Sequence, residues 1–360
     1  MKARSLVGAG ALIPLGLIAG FGFFDTSKTE AMPELEKKVA ALDERTPGAL
    51  GVYIRDLGEG RELNYGGERS WYLASTIKVP VAIAILQDVD AGKLSLNDTL
   101  TLEEGDKVDG PGDLAWKDAG TEVPIDDLLR DMLQVSDSTA TGMLIRHLGA
   151  DELNRRIGRD MTSGGFGEVT TILDVRRSLY RQFTPKADEL DNAQILSLAS
   201  TSLNEERTRA VARELGMQTD DFDVDSLEDA YARYYETGLN AAELDAYGEM
   251  LVRVVNGDLL KPDTAEQLFR YMKLGQYDAY RLEAGLDKAV PFAHKTGTQF
   301  ERTCHVGIVD PLSKERAIVV AACVSGADED DAAETLGEVG KLLNTLAAKS
   351  APAQTSASRN

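Results

Sequence analysis

Ser75-Thr76-Ile77-Lys78, with Trp71-Tyr72 before it and the apolar run Val79 to Leu86 behind it, is the stretch that orders the rest of the chain. Serine is favoured at helix N-termini and the run that follows is helix-length, which predicts a helix beginning at Ser75. Residues three apart share a helix face, so Ser75 and Lys78 are expected as neighbours. A serine hydroxyl is a poor nucleophile until a base takes its proton, and a lysine kept neutral by its surroundings can be that base. Alone, S-x-x-K is a common tetrapeptide, and the plain alternative is a helix start with a solvated lysine.

Two distant stretches shift that balance. Ser136-Asp137-Ser138 lies downstream, and Lys295-Thr296-Gly297 lies much further on. S-x-x-K, then S-D-x with an asparagine-like third residue, then K-T-G is the motif order of class A β-lactamases and penicillin-binding proteins. On these motifs the chain resembles the class A serine β-lactamase family from about Leu35 to Leu346. The resemblance implies an α/β fold of two lobes. One lobe, about 31–74 and 258–349, is an antiparallel sheet flanked by N- and C-terminal helices. The other, about 75–257, is all-helical and carries an insertion at about 183–235. Together they form one catalytic domain, 31–349.

The same resemblance implies roles. Ser75 attacks a lactam carbonyl, Lys78 takes or relays its proton, and Ser136 passes a proton to the leaving nitrogen. Lys295 offers charge to a substrate carboxylate and Thr296 a hydrogen bond. Gly297 and Thr298 complete the strand, with the N–H groups of Ser75 and Thr298 as the oxyanion hole. Ser138 stands where asparagine is usual, which weakens the grip on a substrate side-chain amide. Arg302 offers a second contact to the carboxylate, against the plainer reading of a surface arginine.

The resemblance thins after Leu148. Val169-Thr170-Thr171-Ile172-Leu173-Asp174 resembles the entry to the family's Ω-shaped loop, whose glutamate activates the deacylating water. In that register the glutamate's place falls to Arg176 or Arg177, and arginine cannot act as a general base. Glu168, Asp174 and Glu189 are weak candidates, the last through a second register over Asp188 to Asn192.

Around these motifs the pattern predicts a helix over Pro33–Asp43 and strands over Leu50–Asp56 and Glu62–Tyr65 joined at Gly58-Glu59-Gly60. Further helices are expected from Pro124 to Val135, Thr139–Leu148, Ala241–Val255 and Pro262–Met272. The insertion reads as helices Leu196–Leu203, Glu205–Leu215 and Leu227–Tyr235. Strands Ala293–Thr298, Arg302–Asp310 and Ala317–Val324 precede a last helix, Asp331–Leu346. Trp116 reads as packed under its loop, with a cleft gate as the second option. Residues 350–360 read as a disordered tail.

Composition narrows the partners. The 360 residues carry a net charge of −21, which opposes a nucleic-acid partner. The acidic runs Asp220 to Glu228 and Asp328 to Glu334 read as solvated faces. Lys2 and Arg4 before the apolar run Leu6 to Phe24 have the layout of a secretory signal or membrane anchor within residues 1–30. Export to the periplasm or the outer face of the cytoplasmic membrane follows, with membrane contact only through that segment. The two cysteines, Cys304 and Cys323, fall near-opposite on adjacent strands, and either a disulfide or two buried thiols fits. His147, His294 and His305 have no metal-ligand spacing, and no phosphate-binding glycine loop occurs, so neither metal nor cofactor is expected. A monomer acting on a small β-lactam or a peptidoglycan stem peptide is the expectation. Three outcomes compete: β-lactam hydrolysis, D,D-peptidase chemistry, and a binder that stays acylated.

Overall fold

Alternation along the strands decides where the two main cores lie. The computed structural model describes residues 31–350. Five antiparallel strands form the sheet: β1 (Ala49–Asp56), β2 (Arg61–Tyr65), β3 (Phe292–Gln299), β4 (Arg302–Val309) and β5 (Ile318–Ser325), in the order β2-β1-β5-β4-β3. Leu50, Val52 and Ile54 of β1 face Val324, Ala322 and Val320 of β5 on one side of the sheet. Between them Tyr53, Ala321 and Cys323 turn to the other side. A period of two therefore gives the sheet two apolar faces, and both need cover.

The first face is covered by the two terminal helices, α1 (Ala31–Asp43) and α13 (Glu329–Ser350), through Leu35, Val39, Leu336, Val339 and Leu343. The second packs on a helical layer: α2 (Lys78–Asp90), α3 (Ile125–Gln134), α4 (Ser138–Leu148), α5 (Ala150–Arg156), α10 (Leu244–Asn256) and α11 (Pro262–Tyr271). α2 is apolar on nearly every side from Val79 to Leu86 because it runs through the middle of this layer. A third cluster gathers α6 (Ile172–Tyr180), α7 (Asn192–Ala199), α8 (Glu205–Leu215) and α9 (Leu227–Glu236), with Tyr72 and Ala74 beneath them. The short α12 (Leu282–Gly285) lies against α13. The fold is the α/β arrangement of antiparallel sheet, flanking terminal helices and helical layer expected from the motifs.

Several elements differ from their sequence reading. Ser75 does not begin an α-helix: Ala74–Ile77 form a 3₁₀ turn and α2 starts at Lys78. Ala74 enters the turn with φ +47°, and the Thr76 hydroxyl, not Ser75, bonds back to Leu73 O at 2.8 Å. Val169–Asp174 is not an open loop entry, because Thr171 and Asp174 form a reciprocal capping box that starts α6 at Ile172. Another capping box, Asp191 with Gln194, starts the first insertion helix at Asn192, four residues before its expected beginning. Ala241-Ala242 are extended and pair with Trp71-Tyr72, which delays α10 to Leu244. Trp116 is not packed under its loop; it is 82% exposed. Glu329, in the second acidic run, accepts from Arg281 at 3.1 Å and Tyr280 at 2.7 Å.

The cysteines are joined as a Cys304–Cys323 disulfide across β4 and β5. Among the described residues no helix is long and apolar enough to cross a membrane. The expected leader, 1–30, and all but the first residue of the expected tail, 350–360, lie outside the described residues.

Candidate active site

Three segments meet where the sheet edge faces the helical layer. Lys78, at the first position of α2, is fully buried. Its Nζ donates to Ser136 O at 2.5 Å and lies 3.1 Å from Ser136 Oγ. Lys295 Nζ, arriving from β3, is also 3.1 Å from Ser136 Oγ and donates to Thr296 O at 2.9 Å. One serine hydroxyl thus sits between two lysines that are 217 residues apart in sequence.

Ser75 joins them through Gly297. A Cβ on Gly297 would lie 2.5 Å from Leu73 O and 2.9 Å from Ser75 N, so only glycine lets β3 approach the nucleophile turn this closely. Lys78 N–H donates to the Ser75 and Thr76 carbonyls, tying the turn to α2. Ser136 holds φ +64° on the bend between α3 and α4, a conformation that non-glycine residues keep only where the surroundings fix it. Asp137 supplies that fixing. Its Oδ1 accepts from Ala140 N–H at 2.7 Å and its Oδ2 from Leu114 N–H at 3.2 Å. Asp137 thus braces the turn by accepting from backbone N–H groups.

Burial sets the electrostatics. It lowers the Lys78 pKa from the ordinary lysine range to about 7, with Asp137 pulling weakly the other way. Lys295 is held well below the ordinary range, first by burial and then by Lys78, Lys273 and Arg281. Three residues on from Ser75, a neutral Lys78 amine beside the Ser136 hydroxyl can accept a proton near neutral pH.

The other sequence-derived candidates fall as follows. Ser138 opens α4 and is almost fully buried, with Gly110 packed so near that a Cβ there would be 2.7 Å from Ser138 Oγ. Alternation places Lys295 and Gly297 with Ala293 toward the helices, and Thr296 opposite His305 on the other face of the strand. Thr298 is exposed, and its hydroxyl accepts from Arg281 at 2.6 Å. Arg302 stacks on Tyr235 at 4.2 Å and bonds Glu301 O. Glu168 and Glu189 are exposed, and Asp174 is spent on the Thr171 cap. Arg176 is bound in two-pronged fashion to Asp109, and Arg177 bonds Asn192.

Arg281 gave no signal in the sequence. It is 1% exposed and has φ +53°. Its guanidinium donates to Gly297 O at 2.9 Å, Cys304 O at 3.1 Å and the Thr298 hydroxyl. A planar fork of donors suits two carbonyls on neighbouring strands, so Arg281 pins the end of the K-T-G strand from behind. Behind the same strand, Asp278, Glu283 and His294 present ligand-type atoms within 4.8 Å of one another. His305 Nδ1 accepts from Leu282 N–H at 3.2 Å, so its Nε2 donates to His294 Nδ1 at 2.8 Å. That order leaves His294 Nε2 as a buried N–H 3.3 Å from Glu283 but without a hydrogen-bond partner, and a metal ligand needs a lone pair there. Leu282, His305 and His294 thus form a hydrogen-bonded chain that ends at this N–H.

Comparison with known proteins gives the following. The model of the "Beta-lactamase enzyme family" matches residues 34–178 and 191–346. A beta-lactamase of Rhodobacter capsulatus is 28% identical over 190 residues, 52% of this chain and 62% of that protein. A beta-lactamase of Streptomyces albus G is 22% identical over 323 residues, 88% of this chain and 85% of that protein. Among solved structures, PBP-A superposes with a TM-score of 0.63 at 22% identity, covering 88% of this chain and 96% of that one. An ancestral class A beta-lactamase gives 0.60 at 23%, covering 86% and 98%. At these identities the likeness to solved structures speaks for the fold.

Proposed function

Because the chain belongs to the beta-lactamase enzyme family, we propose that it is a serine acyl enzyme that opens β-lactams, or cleaves a peptidoglycan stem peptide, through an ester on Ser75. The observation that carries this reading is the meeting of Lys78 Nζ, Lys295 Nζ and Ser136 Oγ at 3.1 Å, with Gly297 against the Ser75 backbone.

In this reading Ser75 Oγ attacks the carbonyl carbon while its proton passes to neutral Lys78. The C–N bond then breaks, and the proton moves from Lys78 through the Ser136 hydroxyl to the leaving nitrogen. Lys295 attracts the substrate carboxylate, whose charge favours the protonated amine that burial disfavours. Thr296, on the other face of the strand, takes no part in this reading, and Thr298 contributes through its backbone. The N–H groups of Ser75 and Thr298 receive the oxyanion, and each such donor contributes about 3 kcal/mol to transition-state stabilisation.

The fate of the ester separates the readings. Glu168 and Glu189 lie on the surface, Asp174 caps a helix, and in the register read from Val169–Asp174 the place of the family's glutamate falls to Arg176 or Arg177. This arrangement supports slow release of the acyl group. Rapid turnover is the second reading, favoured by the relatives named as beta-lactamases. Intact-mass measurement after mixing with benzylpenicillin tests the choice. A lasting adduct is expected; product accumulating with a short-lived adduct would replace slow release by turnover. Release of D-alanine from a stem-peptide analogue, measured alongside, distinguishes a peptidase. The expected export and the small-molecule partner belong to the same proposal.

A further inference from the structure

One carboxylate at the border of the cleft has no part in the chemistry above. Residues 107–113 lie over the start of α4, where Val108 N–H donates to Thr139 Oγ1 at 3.3 Å and Ser138 N–H to Pro111 O at 3.4 Å. Gly110 abuts the Ser138 hydroxyl, so Asp109 stands one residue from the serine wall. Asp109 is bound by Arg176 of α6: Nε donates to Oδ1 at 3.1 Å and NH2 to Oδ2 at 2.6 Å, with both side chains mostly buried. The third guanidinium nitrogen, NH1, is buried without a hydrogen-bond partner. The Tyr231 hydroxyl of α9 donates to Gln299 Oε1 at 3.2 Å, at the end of β3. Asp109 and Arg176 tie the loop on the Ser138 side of the cleft to α6.

We propose that Arg176 is a positioning residue that prolongs the life of the acyl ester by locking Asp109 out of use as a base. A carboxylate gripped by a two-pronged guanidinium has both oxygens engaged in charge-assisted hydrogen bonds. Anchored in this way, it cannot turn toward a water at the ester. The other acid of this wall, Asp137, is already committed to the Ala140 and Leu114 N–H groups. With Arg176 removed, Asp109 takes a proton from water as its oxygen attacks the ester carbon. The C–O bond to Ser75 then breaks, and the proton taken up by Asp109 returns by way of solvent and Lys78 to the Ser75 oxygen. The inference rests on the ester forming at Ser75.

The test uses the full chain with benzylpenicillin as probe. Acylation is followed first; then, with excess penicillin removed, loss of the adduct is followed by intact mass across pH. Arg176→Gln is expected to lose the adduct at least about tenfold faster than wild type, since a placed general base contributes about 10²–10⁴. Its loss rate should rise with pH through the carboxylate range, while acylation stays within a few-fold. Asp109→Asn and the double variant should be no faster than wild type. Arg176→Lys keeps the charge but loses the fork, and should be several-fold faster; it serves if the glutamine variant does not fold. An Arg176→Gln rate equal to wild type overturns the lock. So does equal acceleration in Asp109→Asn or in the double variant, which would signal loosened packing. Absence of any adduct on wild type overturns the acyl-ester reading itself, and this inference falls with it.

Discussion

The pH dependence of acylation is where the buried lysine makes its sharpest demand. With a Lys78 pKa of about 7, the amine is about one-tenth neutral at pH 6, half neutral at pH 7 and about nine-tenths neutral at pH 8. If neutral Lys78 takes the Ser75 proton, the acylation rate at saturating penicillin rises about tenfold from pH 6 to pH 8. Saturation matters, because Lys295 acts on binding of the carboxylate and has its own titration. Burial is the main cause of the low Lys78 pKa, and Asp137 is the group that opposes it. Asp137→Asn keeps an oxygen for the Ala140 N–H but removes the charge. Its ammonium form is then less stable, so the midpoint moves to lower pH and the profile shifts to the acid side. Stopped-flow acylation with a chromogenic β-lactam, with circular dichroism at each pH, measures both profiles. A flat rate between pH 6 and 8 in folded protein, or a midpoint that rises in Asp137→Asn, refutes the reasoning.

Three further substitutions probe the frame of the site. Gly297→Ala drives a methyl into Leu73 O and the Ser75 N–H, and should cost about 1–3 kcal/mol by urea unfolding and abolish acylation. The double change Cys304→Ser with Cys323→Ser opens a loop of 19 residues and should lower stability by about 3 kcal/mol in the same assay. Trp116→Ala, at a side chain 82% exposed, should leave stability within about 0.5 kcal/mol; a larger loss would show that the indole packs after all.

What could be read without coordinates follows from what short range can encode. Leu50 to Ile54 and Ile318 to Val324 are short, nearly unbroken apolar runs, the pattern of a strand buried on both faces, and both faces of each are buried. The three motifs named Ser75, Lys78, Ser136 and Lys295 because each motif is local, even though their meeting is not. Boundaries failed where a side chain took over a backbone group: Thr171 with Asp174, and Asp191 with Gln194, started helices at places the apolar pattern did not mark. Ser75 looked like a helix cap, but a left-handed Ala74 and a 3₁₀ turn hold it differently. Trp116 misled because size alone says nothing about the space available beneath a loop. Arg281 was invisible for the opposite reason. Its burial depends on two strands and α13 closing around it, and nothing next to it in sequence announces that. Asp109 and Arg176 meet across 67 residues, and the sequence showed only that an arginine stood where an acid was expected.

Central to the account is that the Ser75 hydroxyl is the acylated atom. Peptide mapping after incubation with benzylpenicillin, on wild type and Ser75→Ala, tests this directly. The account predicts a single modified peptide containing Ser75 and no adduct on the alanine variant. An adduct on another residue, or one that persists in folded Ser75→Ala, would contradict it.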